Sequence, residues 1–587
     1  MKPGPSIVVR EGEYPEFTWV AILVGWGIGA LLTISVAYAS LVLGFSVEGS
    51  ELAAILGWGI LRGLMRRTSI VENNINQTIA SAVNGASSGI MFSVPALLIL
   101  ANQEKFAELA EINYFLLILS SITGCILGLC FVIPLRKQMI DFDRLAYPGG
   151  VAVATILKSP GAGVRKAVVL MGGMAVAAVI QIAVLVGAPD ANWDAGGYFG
   201  FSSMLNVQFF LSIMTIGVGY LSGKGGFWFG AGGFLCYFFL SPILASYAGT
   251  DVANMTASPD EMRVTLYRPT GIGMLIGAAI GGIIGALPMI LSAFASLKNA
   301  SQREGGDVAA KDEMPIGLLY TMIGLGSVFL ALLALFESGG NVSLVRILMM
   351  SAIGVLWIWV AGVIVAECIG RTNWSPLSGM TLIAVTLLIV TLKGGTDPIT
   401  TIKTSILVGA GVCLAVSQAS DMMLDLKSGY MVGGIPRRQQ MAQFIGTWLG
   451  PPLALGVMLL LHYNTEGGLG SPKLPAAQGS ALASVVGSLV DGNVPAYRYT
   501  AGAGLGFILA LSGLGGIGVL VGLGFYMPFN IVMTYSIGNL LRVLSDRFLG
   551  KKFGYETGVP LAAGLIVGEA LVNVFHAIYQ VVDSMNG

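Results

Sequence analysis

Charge is what this sequence has least of. Of 587 residues only 11% are Asp, Glu, Lys or Arg, where a soluble domain carries about 25%. The 31 acidic and 31 basic residues cancel, and without a basic excess the chain is no nucleic-acid binder. Histidine is nearly absent, at two residues, and no HExxH or Cys/His cluster occurs. That argues against a built-in metal centre, and no cofactor is expected. Cys125, Cys130, Cys236, Cys368 and Cys413 are odd in number, lack metal spacing and lie in or beside apolar runs, as buried free thiols do. A GxGD aspartyl pair and a Ser/His pair are missing too, so the chain is not expected to be an enzyme.

What is abundant is apolar: 55% of residues, in long runs from end to end, with 82 glycines among them. This describes an all-α polytopic membrane protein. The short alternating strands of a membrane barrel are not seen. Glycine lets membrane helices approach closely and lets them break. The polar start Met1–Glu16 leads into an apolar run without a small-residue cleavage site, which reads as a retained first span.

Taken in order, the runs give about sixteen transmembrane helices and two short elements, Leu145–Ser159 and Leu469–Ser488. The first is apolar over only about 13 residues, too short to span, and basic residues flank both of its ends (Arg144; Lys158, Arg165, Lys166). Both are expected to be re-entrant. The charged stretch Lys298–Glu313 divides an N-terminal half, 1–300, from a C-terminal half, 301–587. Ala152–Leu157 aligns with Ala481–Val486 at an offset of 329 residues. By alternation the first copy enters from the cytoplasm and the second from outside, as an inverted repeat requires. With both short elements re-entrant the basic loop Arg542–Lys552 falls outside, against the positive-inside rule; a spanning second element would put it inside and make the count seventeen.

Polar residues inside the apolar runs form faces. Asn73, Gln77, Ser81, Asn84 and Ser88 are spaced 4, 4, 3 and 4, one stripe of a helix. Unpaired amides in lipid cost several kcal/mol, so the stripe either glues helices together or lines a pathway. Gln418, Asp421 and Asp425 share a face if their helix continues that far. Glu569, Asn573, His576 and Gln580 form a third. An intramembrane carboxyl is by default a functional hypothesis. Pro376 and Gly379 break a membrane run, which is tolerated where backbone is buried or lines a cavity.

These segments resemble the oligopeptide transporter family, in a prokaryotic-type member. The match lies in Asp421–Gln440 (opening D-x-M-x-D-x-K-S-G-Y), Asn73–Leu97 (opening N-N-x-x-Q-T-x-A-x-A), Tyr147–Lys158, Cys368–Thr381, Leu474–Gln478 and Gly564–Leu571. Ser375 stands where the family usually has Asn, and Ala477 where it has Pro. The N-P-G and K-I-P-P-R motifs of the fungal and plant peptide branch are absent. Asp425–Tyr430 looks at least as close to the yellow-stripe branch, which carries metal–chelate complexes.

The resemblance implies a secondary active, proton-coupled importer in the cytoplasmic (inner) membrane, its substrate a small peptide or a metal chelate. A channel or scaffold without coupling is the rival class. On this reading Asn73, Asn74, Gln77, Asn84, Tyr147, Asn373, Ser378, Gln418, Lys427, Tyr430 and Gln478 are candidates for substrate binding. Broken-helix N-termini and amide faces would meet a peptide carboxylate. Asp421, Asp425 and Glu569 would meet its amine or carry the coupling proton, since desolvated carboxyls hold protons more readily. A homodimer is compatible with the sequence, which carries no direct argument for one.

Overall fold

The computed structural model describes residues 14–44, 49–187, 192–246, 259–278, 280–282, 284–285, 313–372, 375, 377–491, 496–512 and 516–586. Among them, ten helices are long and apolar enough to cross a membrane. The helices used below are, in chain order, α1 (Trp19–Leu43), α2 (Ser50–Gly57), α3 (Ile70–Ser93), α4 (Pro95–Ala101), α5 (Tyr114–Val132), α6 (Pro148–Leu157), α7 (Pro160–Gly187) and α8 (Ile213–Ser222). They continue with α9 (Phe227–Phe234), α10 (Ile316–Glu337), α11 (Leu344–Thr372), α12 (Leu377–Leu392), α13 (Pro398–Val432), α14 (Pro436–Gly446) and α15 (Gly450–Asn464). The last are α16 (Ala477–Asp491), α17 (Ala496–Leu511), α18 (Ile517–Tyr526), α19 (Phe529–Phe548) and α20 (Val559–Asn586). One small excursion pairs two strands, Asn192–Asp194 with Gln208–Phe210, antiparallel.

The longest helix shows how local chemistry sets an element. The Asp397 side chain accepts from Thr400 N at 2.8 Å, and Pro398 follows at the first helical position. Both are start signals. Gly433, at φ 79°, ends it, in the left-handed region that glycine enters without strain. Between them lie 35 residues, about 52 Å of helix. No break occurs at the charged residues, so Gln418, Asp421 and Asp425 do share one helix. α5 crosses α13 at Gly124, where a Cβ would collide with the backbone of Gly411.

One run differs from expectation. The run Gly502–Gly524 is not one span. It divides into α17 and α18, and the second folds back: a Cβ on Gly518 would lie 2.7 Å from Gly506 O. Glycines on both sides permit the hairpin. Tyr220 Oη and Ser545 Oγ are 2.9 Å apart, and Arg542 stacks on the Tyr220 and Tyr555 rings. The basic loop after α19 therefore sits beside Ser222–Gly226 and Lys224.

The two short helices share an unusual start. Tyr147 and Ala476, the residues before α6 and α16, both have φ 44°. Tyr147 N donates to Gly370 O at 2.8 Å, and Ala476 N donates to Leu41 O at 2.8 Å. The numbers 147 and 476, and 41 and 370, differ by the same 329.

Candidate functional site

The predicted polar residues gather in two places. The first is a packed seam between α3, α13 and α14. Gln77 Nε2 donates to Asp425 Oδ1 at 2.5 Å, and Asn74 Nδ2 donates to Gln77 Oε1 at 3.3 Å and Ser428 Oγ at 3.0 Å. Gln418 Nε2 donates to Ala82 O at 2.8 Å, and Asn73 Nδ2 to Ala54 O at 3.2 Å. The Asp421 carboxylate lies over Gly85, where any larger residue would displace it. Asn84 is buried beside Gly49. The seam draws in residues that spacing alone did not single out. Gln439 Nε2 donates to Thr78 Oγ1 at 3.0 Å and to Asp425 O. The Gln443 amide donates to Gln418 Oε1 at 3.2 Å in one orientation and to Asp425 Oδ2 at 3.3 Å in the other. Gln439 and Gln443 stand four apart after the Pro436 helix start, a periodicity that could have flagged them. At Asn73 and Gln77 the stripe of α3 is thus hydrogen-bonded to neighbouring helices, which satisfies amides that lipid could not.

Lys427 and Tyr147 lie below this seam, against α6. Lys427 Nζ donates to Leu145 O at 2.8 Å and lies 5.9 Å from the centroid of the Tyr430 ring. Tyr147 is fully buried, its hydroxyl donating to Ala366 O at 3.0 Å. Gln478 Nε2 donates to Gly44 O at 2.9 Å, tying the start of α16 to the end of α1. Ser378 is half-buried on the first turn of α12. Asn373 lies outside the described residues.

The second place is a cavity, and Glu569 stands in its wall. The cavity holds about 890 Å³ and is lined by Tyr38, Gln181, Asn464, Lys473, Asn530, Glu569, Asn573, His576 and Gln580 among others. All four members of the α20 polar face line it. Glu569 is 1% exposed. Its Oε1 accepts from Ser212 Oγ at 2.6 Å and its Oε2 from Met214 N at 2.7 Å. The carboxylate therefore closes the N-terminus of α8, where free amides and the helix dipole favour an anion. Asn573 accepts from Gln181 Nε2 at 3.0 Å, locking α20 to α7. Ser212, on the chain leaving the two-stranded excursion, had no signal in the sequence. The structure does not bring Glu569 to Asp421 and Asp425; it holds them on different helices in different surroundings.

The cavity lies at one end of the bundle. α7 begins beside Lys158, and its far end supplies Gln181 and Leu185 to the lining. Its 28 residues cover about 42 Å, so Arg144, Lys158 and Arg165 mark the opposite end. Among the described residues no group of three or more His, Cys, Asp or Glu could hold a metal ion.

Comparison with known proteins now decides the family. The model of the OPT oligopeptide transporter protein family matches residues 16–580. The chain belongs to the oligopeptide transporter family. It is also similar to a protein of Haemophilus influenzae named "Putative oligopeptide transporter", with 26% identity over 603 aligned positions, covering 92% of each chain. The chain is accordingly an integral membrane transport protein. The family motifs fall in both places: Asp421–Tyr430 and Asn73–Ala82 build the seam, and Gly564–Leu571 carries Glu569 to the cavity.

Proposed function

We propose that this member of the oligopeptide transporter family imports small peptides by proton-coupled alternating access. The observation that carries the reading is the cavity. A volume of about 890 Å³ falls within the range of ligand sites. Its wall combines neutral amides with one deeply set carboxylate. Amides that both donate and accept suit a peptide backbone of any sequence, and the carboxylate suits an amine or a proton.

Residues 1–300 and 301–587 act on this reading as two halves of opposite orientation, with α6 and α16 as re-entrant helices. The paired starts at Tyr147 and Ala476 support that arrangement. The end bearing Arg144 and Lys158 faces the cytoplasm by the positive-inside rule, so the cavity opens outward. The seam around Asp425 acts as the fixed core, and Glu569 carries the coupling proton.

The test is uptake into proteoliposomes under an imposed proton gradient. Labelled tri- to pentapeptides are compared with an iron–chelate complex. Peptide accumulation that collapses with an uncoupler is expected. Accumulation of the chelate alone would replace peptide as the substrate, and a flux indifferent to the gradient would make the protein a channel.

A further inference from the structure

Close contacts recur between the halves with fixed offsets. A Cβ on Gly173 would meet Leu561 O, and one on Gly502 would meet Thr270 O. Gly564 lies against Leu170 O as Gly273 lies against Tyr499 O. Gly568 lies against Met174 O as Gly277 lies against Ala503 O. In all three pairs the α7 and α17 positions differ by 329, and the α20 positions differ by 291 from those on the 268–278 helix. The π-helical turns Arg263–Tyr267 and Gly554–Gly558 keep the offset of 291. With the 41–476 and 147–370 hydrogen bonds, these contacts give a residue-by-residue correspondence that reaches the cavity.

Applied to the cavity, the offset of 329 takes Leu461 to Val132, Asn464 to Leu135, Lys473 to Arg144, Leu474 to Leu145 and Tyr38 to Glu367. The first members line open space. Of their counterparts Val132, Leu135, Leu145 and Glu367 are buried, as Leu461 and Leu474 also are, and Arg144 is exposed. The contacts closing this second region are specific. Arg136, 7% exposed, pairs with Glu313 and with Asp141 at 3.2 Å. Gln440 Nε2 donates to the other Glu313 oxygen at 3.2 Å and its Oε1 accepts from Met314 N at 2.9 Å. The corresponding loop at the cavity instead carries a solvent-facing pair, Lys473 with Glu466, 42% and 84% exposed.

We infer that the chain carries a second peptide vestibule, the counterpart of the first, lined by Val132, Leu135, Arg144, Leu145 and Glu367 and shut by the Arg136–Glu313–Asp141 cluster. The inference rests on the transport reading above. A short peptide occupies this vestibule on its way out, when the first has closed. Its wall is the more cationic, with Lys137 where the first has Glu466, and so favours the peptide's carboxylate end. Two halves that exchange conformations need such a counterpart.

The experiment uses the full chain in detergent and a sulfonated maleimide as probe. The five native cysteines are buried, which leaves a low background. Leu145→Cys reports the second vestibule and Asn464→Cys the first. Removing one member of a buried ion pair strongly favours arrangements that release the other. Glu313→Gln is therefore expected to raise labelling at 145 roughly tenfold or more and to lower labelling at 464. Arg136→Gln does the same, and Arg136→Lys, which keeps the pair, restores parental rates. Each variant is scored when it elutes as the parent does. A rise at 145 without a fall at 464 is local loosening and overturns the inference, as does no change at either. Labelling needs no transport, so failed peptide uptake with intact reciprocal labelling would refute the substrate alone.

Discussion

Glu569→Gln separates coupling from binding. The carboxylate accepts from Ser212 Oγ at 2.6 Å and Met214 N at 2.7 Å. Glutamine keeps one acceptor, which can hold Ser212. Its NH2 then faces the Met214 N–H, donor against donor. A hydrogen bond to a charged group contributes about 1.5–3 kcal/mol, so the variant loses about that much from the α8–α20 contact and retains its fold. It also loses the only titratable group on the α20 polar face apart from His576. One proton carried down one pH unit supplies about 1.4 kcal/mol, enough to concentrate a neutral substrate about tenfold. Proteoliposomes of the parent with a one-unit gradient, inside alkaline, are expected to approach that ratio. Those of the variant are expected to stop at equal concentrations while still exchanging labelled for unlabelled peptide. Accumulation beyond equality in the variant would refute the assignment of the proton to Glu569. Loss of exchange as well would refute the separation of coupling from binding.

Other expectations follow from single contacts. Gln77→Ala strips a donor from the buried Asp425 Oδ1 and is expected to cost about 1–3 kcal/mol, read as a lower thermal midpoint in detergent. Gly124→Ala drives a methyl into the Gly411 backbone and is expected to cost about 1–3 kcal/mol, whereas Gly27→Ala, which meets nothing within 4 Å, leaves the midpoint unchanged. Ala476→Gly relieves a left-handed residue at φ 44° and is expected to stabilise by about 1 kcal/mol; a lower midpoint would show that the methyl group packs there to advantage. Asp397 is slightly buried, which alone would raise its pKa, but hydrogen bonds from Thr400 and Thr396 hold it below the usual carboxylate value. Its cap is thus present above that range and lost as pH falls through it. Asp397→Ala should cost about 1 kcal/mol near neutral pH, and the difference should shrink in acid.

The membrane-embedded helical fold was legible because lipid permits little else. Runs long enough to cross, polar stripes at helical spacing and the glycine excess all survive as structure. The α20 stripe does line a cavity, and Gln418, Asp421 and Asp425 do share a helix. Harder to read was which stripe lines open space. The stripes of α3 and α20 look alike in sequence, and what separates them is Gln439 and Gln443, delivered from α14 to fill the space before the first. The hairpin of α17 and α18 was hidden for a related reason. Glycine-rich apolar sequence carries no charge to mark a turn within the membrane, so one run of hydropathy covered two helices. Ser212 was invisible because a serine becomes a ligand only when a distant carboxylate is folded onto it.

The composition of α13 bears on how the chain enters the bilayer during synthesis. Alone, its two aspartates and Lys427 would each cost about 2.5–3.5 kcal/mol to insert, against a few tenths of a kcal/mol gained per Leu, Ile or Val. The partner amides on α3 are made more than three hundred residues earlier and wait in the membrane. Those on α14 emerge directly behind α13. Stable insertion of α13 is therefore an act of the assembled chain, and a fragment translated without α3 should leave it exposed to quality-control proteases.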